Sequence, residues 1–169
     1  MSRWWLVAAL VLSGCGVEHR VKKLSNVEFQ HYYALKPFME EEQRIAYLKL
    51  KTEAERSQYL KDAGLWDRFY KYDEHIRTAI VDGAVQTGWT KDMVLMSWGA
   101  PFDKRKLTGR PSPRSELLVY KFEKHEDGTV LVYVPGSKTE YKAVDRFMRE
   151  VYVDNDVVTE IIEKQGWSN

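Results

Sequence analysis

The chain has 169 residues, of which 44% are hydrophobic and 30% are charged, and this length and balance are typical of one globular domain with its own core. Its 26 lysines and arginines against 25 aspartates and glutamates leave a formal net charge of +1, so the overall charge gives no reason to expect nucleic acid as a partner. Because the chain holds a single cysteine, an internal disulfide framework is excluded.

The first fifteen residues predict an export signal. Arg3 is followed by an apolar run that ends at Leu12 and is too short to span a bilayer. The next residues complete the sequence Leu-Ser-Gly-Cys at Cys15, which resembles the lipobox of bacterial lipoproteins. The resemblance implies cleavage before Cys15, a diacylglycerol on its sulfur and an acylated new N-terminus. Gly16 is not the aspartate that retains such proteins in the inner membrane, so the resemblance implies the periplasmic face of the outer membrane. The alternative is a secreted protein cut at small residues, in which Cys15 is incidental.

Residues 16–24 are expected to form a short tether. Their basic side chains are His19, Arg20, Lys22 and Lys23. Cations this close to a lipid surface would strengthen anchoring by attraction to anionic headgroups. The alternative is a solvated linker with no binding role.

Caps and breakers between residues 25 and 82 predict four helices. Ser25 or Asn26 begins the first helix, and Pro37 limits it because the residue before proline avoids the helical region. Thr52 and Glu55 have the spacing of a capping box. The predicted spans are 25–35, 38–50, 52–64 and 66–81.

The helical region is rich in aromatic side chains, which we interpret as core packing, with a ligand groove as the alternative. His31 and His75 lack neighbours at metal-ligand spacing, so neither a metal site nor a cofactor is predicted. No nucleophile with a partnered base is recognisable in the sequence. We therefore predict no catalytic residue and do not expect an enzyme.

Residues 88–101 predict a short, buried helix with a cap at each end. Thr90 is a plausible N-cap and Lys91 the first helical residue. Gly99 supplies a residue with positive φ after the last turn, and Pro101 prevents continuation. The turns between them are apolar nearly all round, at Met93, Val94, Leu95, Met96 and Trp98.

The same stretch carries a family resemblance. Gly88, Thr90, Val94, Gly99 and Pro101 match the pattern Gly-x-Thr-x-x-x-Val-x-x-x-x-Gly-x-Pro, which resembles the signature of the SmpA/OmlA family, the BamE-like lipoprotein domain. The resemblance implies helices packed on a small antiparallel sheet and, through the best-known member, an accessory role in the outer-membrane β-barrel assembly machinery. It covers about residues 73–162. We therefore divide the chain into a signal peptide (1–14), a lipidated cysteine and tether (15–24), a helical extension (25–72), a BamE-like domain (73–163) and a tail (164–169).

The residues after Pro101 predict two β-hairpins. Residues 116–122 and 129–134 are rich in strand formers and flank a turn, and residues 147–153 and 157–162 flank a second turn. We predict an α+β fold of N-terminal helices packed on an antiparallel sheet of three to four strands. Alternation along the third strand predicts one face formed by Phe147, Arg149, Val151 and Val153 and another formed by Met148, Glu150 and Tyr152.

Five cations between residues 103 and 116 form the candidate contact site. Gly109, Pro111 and Pro113 predict a loop without regular structure there. Such a loop would contact anionic lipid headgroups or an acidic partner surface, and the alternative is a solvated connection. The cations are Lys104, Arg105, Lys106, Arg110 and Arg114.

Two functional hypotheses follow. The first is a non-catalytic, lipid-anchored periplasmic lipoprotein that serves as a protein-interaction module in outer-membrane protein assembly or envelope integrity. Its partners would be the membrane, through acylated Cys15, and other envelope proteins, among which the resemblance implies the β-barrel assembly machinery; neither nucleic acid nor a metal is expected. The second is a ligand-sensing or enzyme-inhibitory envelope lipoprotein, because similar helix-on-sheet domains also bind and block enzymes and a fold does not determine function.

Overall fold

A computed structural model describes residues 14–135 and 143–167. Within these ranges, seven α-helices between Gly14 and Trp98 precede five β-strands that begin at Asp103. The predicted α+β class is therefore confirmed. The predicted signal peptide, apart from Gly14, lies outside the described residues.

The helices begin and end largely at the caps that the sequence predicted. The Ser25 side chain accepts a hydrogen bond from the Glu28 N–H, and the Thr52 side chain accepts one from the Glu55 N–H. In each pair, the glutamate carboxylate accepts a hydrogen bond from the backbone N–H of the capping residue. These two capping boxes satisfy N–H groups that a helix start leaves unpaired. The helices are α1 (Gly14–Val21), α2 (Asn26–Leu35), α3 (Glu41–Lys49), α4 (Glu53–Asp62), α5 (Trp66–Tyr70), α6 (Glu74–Val81) and α7 (Lys91–Trp98), with a 3₁₀ turn at Lys36–Phe38.

The expected tether at residues 16–24 is largely helical. Residues 14–21 form α1, and Val17, Val21 and Leu24 pack against the main core. Val17 and Val21 are one helical turn apart, so they share a face. This apolar face, and not the neighbouring charges, decides the conformation of the segment.

The helix predicted over residues 66–81 is in fact two helices. Residues 71–73 interrupt it, and Asp73 has an extended backbone (φ −61°, ψ 157°) at the start of α6. The Arg77 guanidinium donates a hydrogen bond of 2.5 Å to the Tyr72 carbonyl in the break. The Arg77 side chain thus satisfies a backbone carbonyl in the break between the two helices, and this bond stabilises the change of direction between α5 and α6.

The sheet has five strands rather than the predicted three to four. All pairings are antiparallel, in the order β1-β2-β4-β5, and β3 pairs with the part of β2 that extends beyond β1. The last strand ends at Gln165, two residues past the predicted end of the domain at residue 163. The strands are β1 (Asp103–Leu107), β2 (Ser115–His125), β3 (Val130–Val132), β4 (Ala143–Asp154) and β5 (Val157–Gln165).

The turn between β4 and β5 is a two-residue connection. Asn155 and Asp156 both have positive φ, 50° and 66°, between the paired residues Asp154 and Val157. Hairpin turns of this length favour asparagine and aspartate because these residues tolerate positive φ. The predicted hairpin is therefore confirmed.

The main core lies between the helices and one face of the sheet. The Trp98 ring lies edge-on to Tyr120 and Phe122, with ring centroids 5.2 and 5.1 Å away, and its Nε1 donates to the Gly83 carbonyl at 3.0 Å. Phe147, Val151 and Val153 belong to this cluster, as the alternation of the strand predicted. On the opposite face, a smaller cluster contains Leu117, Val119 and Met148, with Leu107, Tyr152 and Trp167 packed against it.

The buried helix α7 is confirmed with its caps. Thr90 Oγ1 accepts a hydrogen bond from the Met93 N–H at 3.4 Å. Gly99 has φ 77° and ψ −157°, and its carbonyl accepts a 3.0 Å hydrogen bond from the Tyr120 hydroxyl. This backbone region is essentially restricted to glycine, so the residue that ends the helix also joins it to the sheet.

The helical extension and the predicted BamE-like domain share one core. Leu35 and Leu60 from the extension belong to the same buried cluster as Val94 and Tyr120. The predicted boundary near residue 72 therefore does not coincide with a division of the hydrophobic core. Among residues 14–135 and 143–167, no helix has the length and apolar character needed to cross a membrane.

Candidate functional site

The five predicted contact cations lie at one end of the sheet, on a strand and on the connection that follows it. Lys104, Arg105 and Lys106 belong to β1, and Arg110 and Arg114 lie between β1 and β2. The loop prediction is therefore wrong for residues 103–107. Lysine and arginine have little strand preference of their own, but Asp103–Leu107 pairs residue by residue with Ser115–Val119. A charged strand at a sheet edge is also a common protection against unwanted pairing.

Most of these cations are paired with carboxylates of the same chain. Within the described residues, Lys106 alone among the five makes no ion pair. The paired groups are Lys104 with Glu116 (3.0 Å), Arg105 with Asp103 (2.6 Å), Arg110 with Asp154 (3.2 Å) and Arg114 with Asp156 (3.4 Å). The site therefore presents alternating charges and not a uniform cationic patch.

Glu116 is the electrostatic centre of this end of the sheet. Its carboxylate bonds both the Lys104 ammonium group and the Lys91 ammonium group at the start of α7. Burial alone would raise the pKa of Glu116, but the hydrogen bonds and charges of the two lysines more than offset it and hold the pKa below its usual range. The same contact raises the pKa of Lys104. The carboxylate is therefore charged at neutral pH and links β2 to α7.

A cavity of about 390 Å³ opens among these residues. Val153 and Ser115 in its lining are buried, and Leu107 is half-buried. Lys106, Thr108, Pro113, Arg114 and Asp156 in the lining are exposed, and Glu116 is half-buried. We call the four charged residues Lys106, Arg114, Glu116 and Asp156 the charged rim. An apolar base with a charged rim is an arrangement that can bind an amphiphilic surface or ligand.

The end of β4 is held in place by hydrogen bonds from both hairpins. Asp154 accepts a hydrogen bond of 2.5 Å from the Ser115 hydroxyl and one of 2.9 Å from the Thr159 hydroxyl. These bonds, together with the Arg110 guanidinium, lower the pKa of Asp154. The turn that carries Asp156 of the charged rim is therefore attached to β2 as well as to β5.

A second cavity, of about 250 Å³, lies between α2, α5 and α6, in the aromatic-rich region for which a ligand groove is the alternative interpretation. His31 and Phe69 are buried in its lining, and His31 Nε2 lies 2.6 Å from the Tyr70 hydroxyl. Burial lowers the pKa of His31, and the nearby Glu28 carboxylate offsets only part of this effect. Val27 and Val81, 49% and 39% exposed, line the same cavity.

Helix α2 also presents aromatic side chains to solvent, outside the lining of this cavity. It carries aromatic residues on opposite faces, so only one set can point into the core. His31 and Tyr32 are buried, whereas Phe29 and Tyr33, one turn apart, are 42% and 46% exposed. The interpretation of the aromatic side chains as core packing is therefore correct for His31 and Tyr32 and wrong for Tyr33.

The remaining site predictions concern Cys15 and metal ions. The backbone of Cys15 lies in the first turn of α1. In the part of the chain that the structure describes, no group of three or more histidine, cysteine, aspartate or glutamate side chains is arranged to hold a metal ion. Comparisons of the chain with protein-family models, with curated proteins and with solved structures found no match.

Proposed function

We propose that this protein is a non-catalytic, lipid-anchored lipoprotein on the periplasmic face of the outer membrane, where it serves as a protein-interaction module. Acylated Cys15 attaches it to the membrane, and the charged rim contacts another envelope protein. The resemblance of residues 88–101 to the SmpA/OmlA signature directs this proposal to outer-membrane protein assembly or envelope integrity.

The membrane anchor is supported by the sequence around Cys15. The only cysteine of the chain follows an apolar run and completes a Leu-Ser-Gly-Cys motif. Several acyl chains would hold the protein firmly, because each buried methylene contributes about 0.8 kcal/mol of membrane affinity. The helix α1 begins at this point in the sequence, so the proposed anchor adjoins the folded domain.

The single observation that carries the interaction role is the cavity with its charged rim. Arg114 and Asp156 have side-chain exposures of 72% and 61%, so both can exchange their mutual ion pair for contacts with a partner at small cost. Lys106 offers a cation without an ion-pair partner among the described side chains. Mixed charges around an apolar base suit a protein surface of complementary pattern.

A ligand-sensing or enzyme-inhibitory lipoprotein is the second candidate. The observation that favours it is the volume of the cavity, about 390 Å³, which lies within the range of small-molecule sites. A small ligand would place its apolar part against Leu107 and Val153 and its charged group on the rim.

Crosslinking in cells tests the first candidate against the second. A photoreactive amino acid at Arg114 reports on the charged rim, and the same amino acid at Glu126, exposed in the turn between β2 and β3, is the matched control. Intact mass measurement of the purified protein tests acylation, with Cys15→Ser as the negative control. Capture of β-barrel assembly proteins from Arg114 but not from Glu126 supports the first candidate.

The alternative outcomes are distinct. Capture of one soluble enzyme at Arg114 would support the inhibitory candidate instead. Equal crosslinking at both positions would contradict the charged rim as the docking site. An unmodified mass at Cys15 would refute the lipid anchor without bearing on the rim.

A further inference from the structure

Helix α1 belongs to the folded body and does not form a flexible tether. Val17, Val21 and Leu24 pack against the main core. The Leu24 N–H donates a 3.1 Å hydrogen bond to the Val21 carbonyl, which closes the turn between α1 and α2. From Val17 onward, the chain is therefore attached to the domain.

This attachment leaves almost no free chain next to Cys15. One residue separates Cys15 from Val17, and at the helical rise of 1.5 Å per residue their Cα atoms are about 3 Å apart along the helix axis. A flexible linker over residues 16–24 would instead have an average span of roughly 15–18 Å. The observed helix thus removes most of the freedom that a tether would give to an anchored domain.

The segment also carries cations that the domain itself leaves unneutralised. Arg20 is half-buried, and Lys22 and Lys23 are exposed. None of the three makes an ion pair with another side chain in the described ranges, and Glu18 is the only acidic residue in residues 16–24. Four of the five β1–β2 cations, by contrast, are paired within the chain.

We infer that α1 is a membrane-docking helix that holds the domain directly on the bilayer, with Arg20, Lys22 and Lys23 in contact with anionic phospholipid headgroups. The inference rests on the proposed lipid anchor at Cys15. A bilayer is the occupant of this surface because the anchor places α1 beside the headgroups, and its unpaired charge is complementary to acidic lipids. The attraction acts over about one Debye length, 8–10 Å, and at a rise of 1.5 Å per residue Arg20 lies within this range of Cys15, about 7.5 Å along the helix axis.

Lysine labelling on vesicles tests this inference. The acylated full chain is reconstituted in phosphatidylethanolamine vesicles with or without phosphatidylglycerol, and an amine-reactive ester is followed residue by residue with mass spectrometry. We expect phosphatidylglycerol to protect Lys22 and Lys23, and added salt to reverse the protection. Lys106, on the edge strand β1 and without an ion-pair partner among the described residues, is the control and should react equally on both vesicles.

Two variants separate the role of charge from that of the helix. Arg20→Gln keeps both lysine reporters and should lower their protection about fivefold, the effect of one cation near an acidic surface, while Arg105→Gln should leave it unchanged. A flexible Gly-Ser spacer inserted between Gly16 and Val17 should abolish the protection while preserving the anchor.

The outcomes distinguish the inference from the proposed anchor. An unacylated Cys15 refutes the anchor and with it the docking. An acylated protein whose Lys22 and Lys23 react equally on both vesicles refutes the docking but leaves the anchor intact. Equal protection of Lys106, or protection that survives the spacer, would show that α1 does not orient the domain.

Discussion

Replacing Arg56 by methionine is expected to destabilise the entire fold by about 3–5 kcal/mol, because it leaves the buried Glu28 carboxylate without its counter-charge. Arg56 Nε lies 2.5 Å from Glu28 Oε1, and the two side chains are only 11% and 5% exposed. Arg56 Nη1 also donates a 2.5 Å hydrogen bond to the Leu50 carbonyl. The guanidinium thus joins α4 to α2 and to the end of α3, and water cannot replace it without opening the helical layer.

Urea denaturation measures this loss as a change in the free energy of unfolding, and a fall in melting temperature of roughly 6–20 °C should accompany it. Arg68→Met is the matched control. Arg68 pairs with Asp92 at 2.8 Å, but the side chains are 44% and 36% exposed, so its loss should cost no more than about 1 kcal/mol. Equal losses in the two variants would refute the reasoning from burial.

The signal used to follow unfolding provides a second test. The NMR resonance of the Trp98 indole N–H reports on the packed Trp98 and Tyr120 rings, whose centroids are 5.2 Å apart, on the sheet side of the core. If Arg56→Met removes helical signal while the signal of these rings persists, the helical extension unfolds separately and the single core is wrong.

The same ion pair has a defined pH dependence. Burial alone would raise the pKa of Glu28. The hydrogen bonds from Arg56 and from the Ser25 backbone N–H, together with the Arg56 charge, lower the pKa by more than burial raises it, so the net shift is downward. A folded-state pKa below the unfolded value, about 4.3, means that the charged carboxylate stabilises the fold above that pH. This stabilisation is lost as the pH falls through the folded-state pKa. The destabilisation caused by Glu28→Gln should therefore be full at pH 7 and shrink in acid; a constant difference would contradict the assignment.

Three further substitutions are expected to act through other parts of the fold, each measured by urea denaturation. Gly99→Val places a β-branched residue at φ 77° and should cost about 1–3 kcal/mol, whereas Ala100→Val next to it should be nearly neutral. Val94→Asp buries an unpaired charge at a fully buried position, and a soluble variant with native near-ultraviolet signal would contradict this. Trp167→Ala removes the 3.1 Å hydrogen bond to the Phe122 carbonyl and the contact with the second cluster, and should cost about 1–3 kcal/mol; an unchanged midpoint would show that these Trp167 contacts do not stabilise the fold.

Local chemistry explains the correct sequence predictions. A capping box needs only a hydroxyl and a carboxylate three residues apart, and Ser25 and Thr52 both provide one. The turn at Asn155 and the end of α7 at Gly99 likewise depend on which residues tolerate positive φ. Such features involve neighbours in the chain, so the sequence indicates them directly.

The wrong predictions concern segments whose conformation depends on distant partners. Residues 103–107 have no strand-like pattern, and they form β1 because the Ser115–Val119 backbone supplies hydrogen bonds. The charges of residues 16–24 favour a solvated tether, but Val17 and Val21 pack against an apolar surface of the folded domain. In both segments, tertiary contacts outweigh weak local preferences.

The features of the candidate site also fall into those that the sequence indicates and those that depend on the fold. The lipobox-like motif at Cys15, the α+β class and the five cations near one hairpin can be recognised without a structure, because motif, periodicity and charge are properties of consecutive residues. The folded arrangement was needed to show that most of those cations are neutralised by Asp103, Glu116, Asp154 and Asp156, and that a cavity opens beside them. Three of those four carboxylates come from other strands or turns, and charges separated along the chain interact only after the strands have paired.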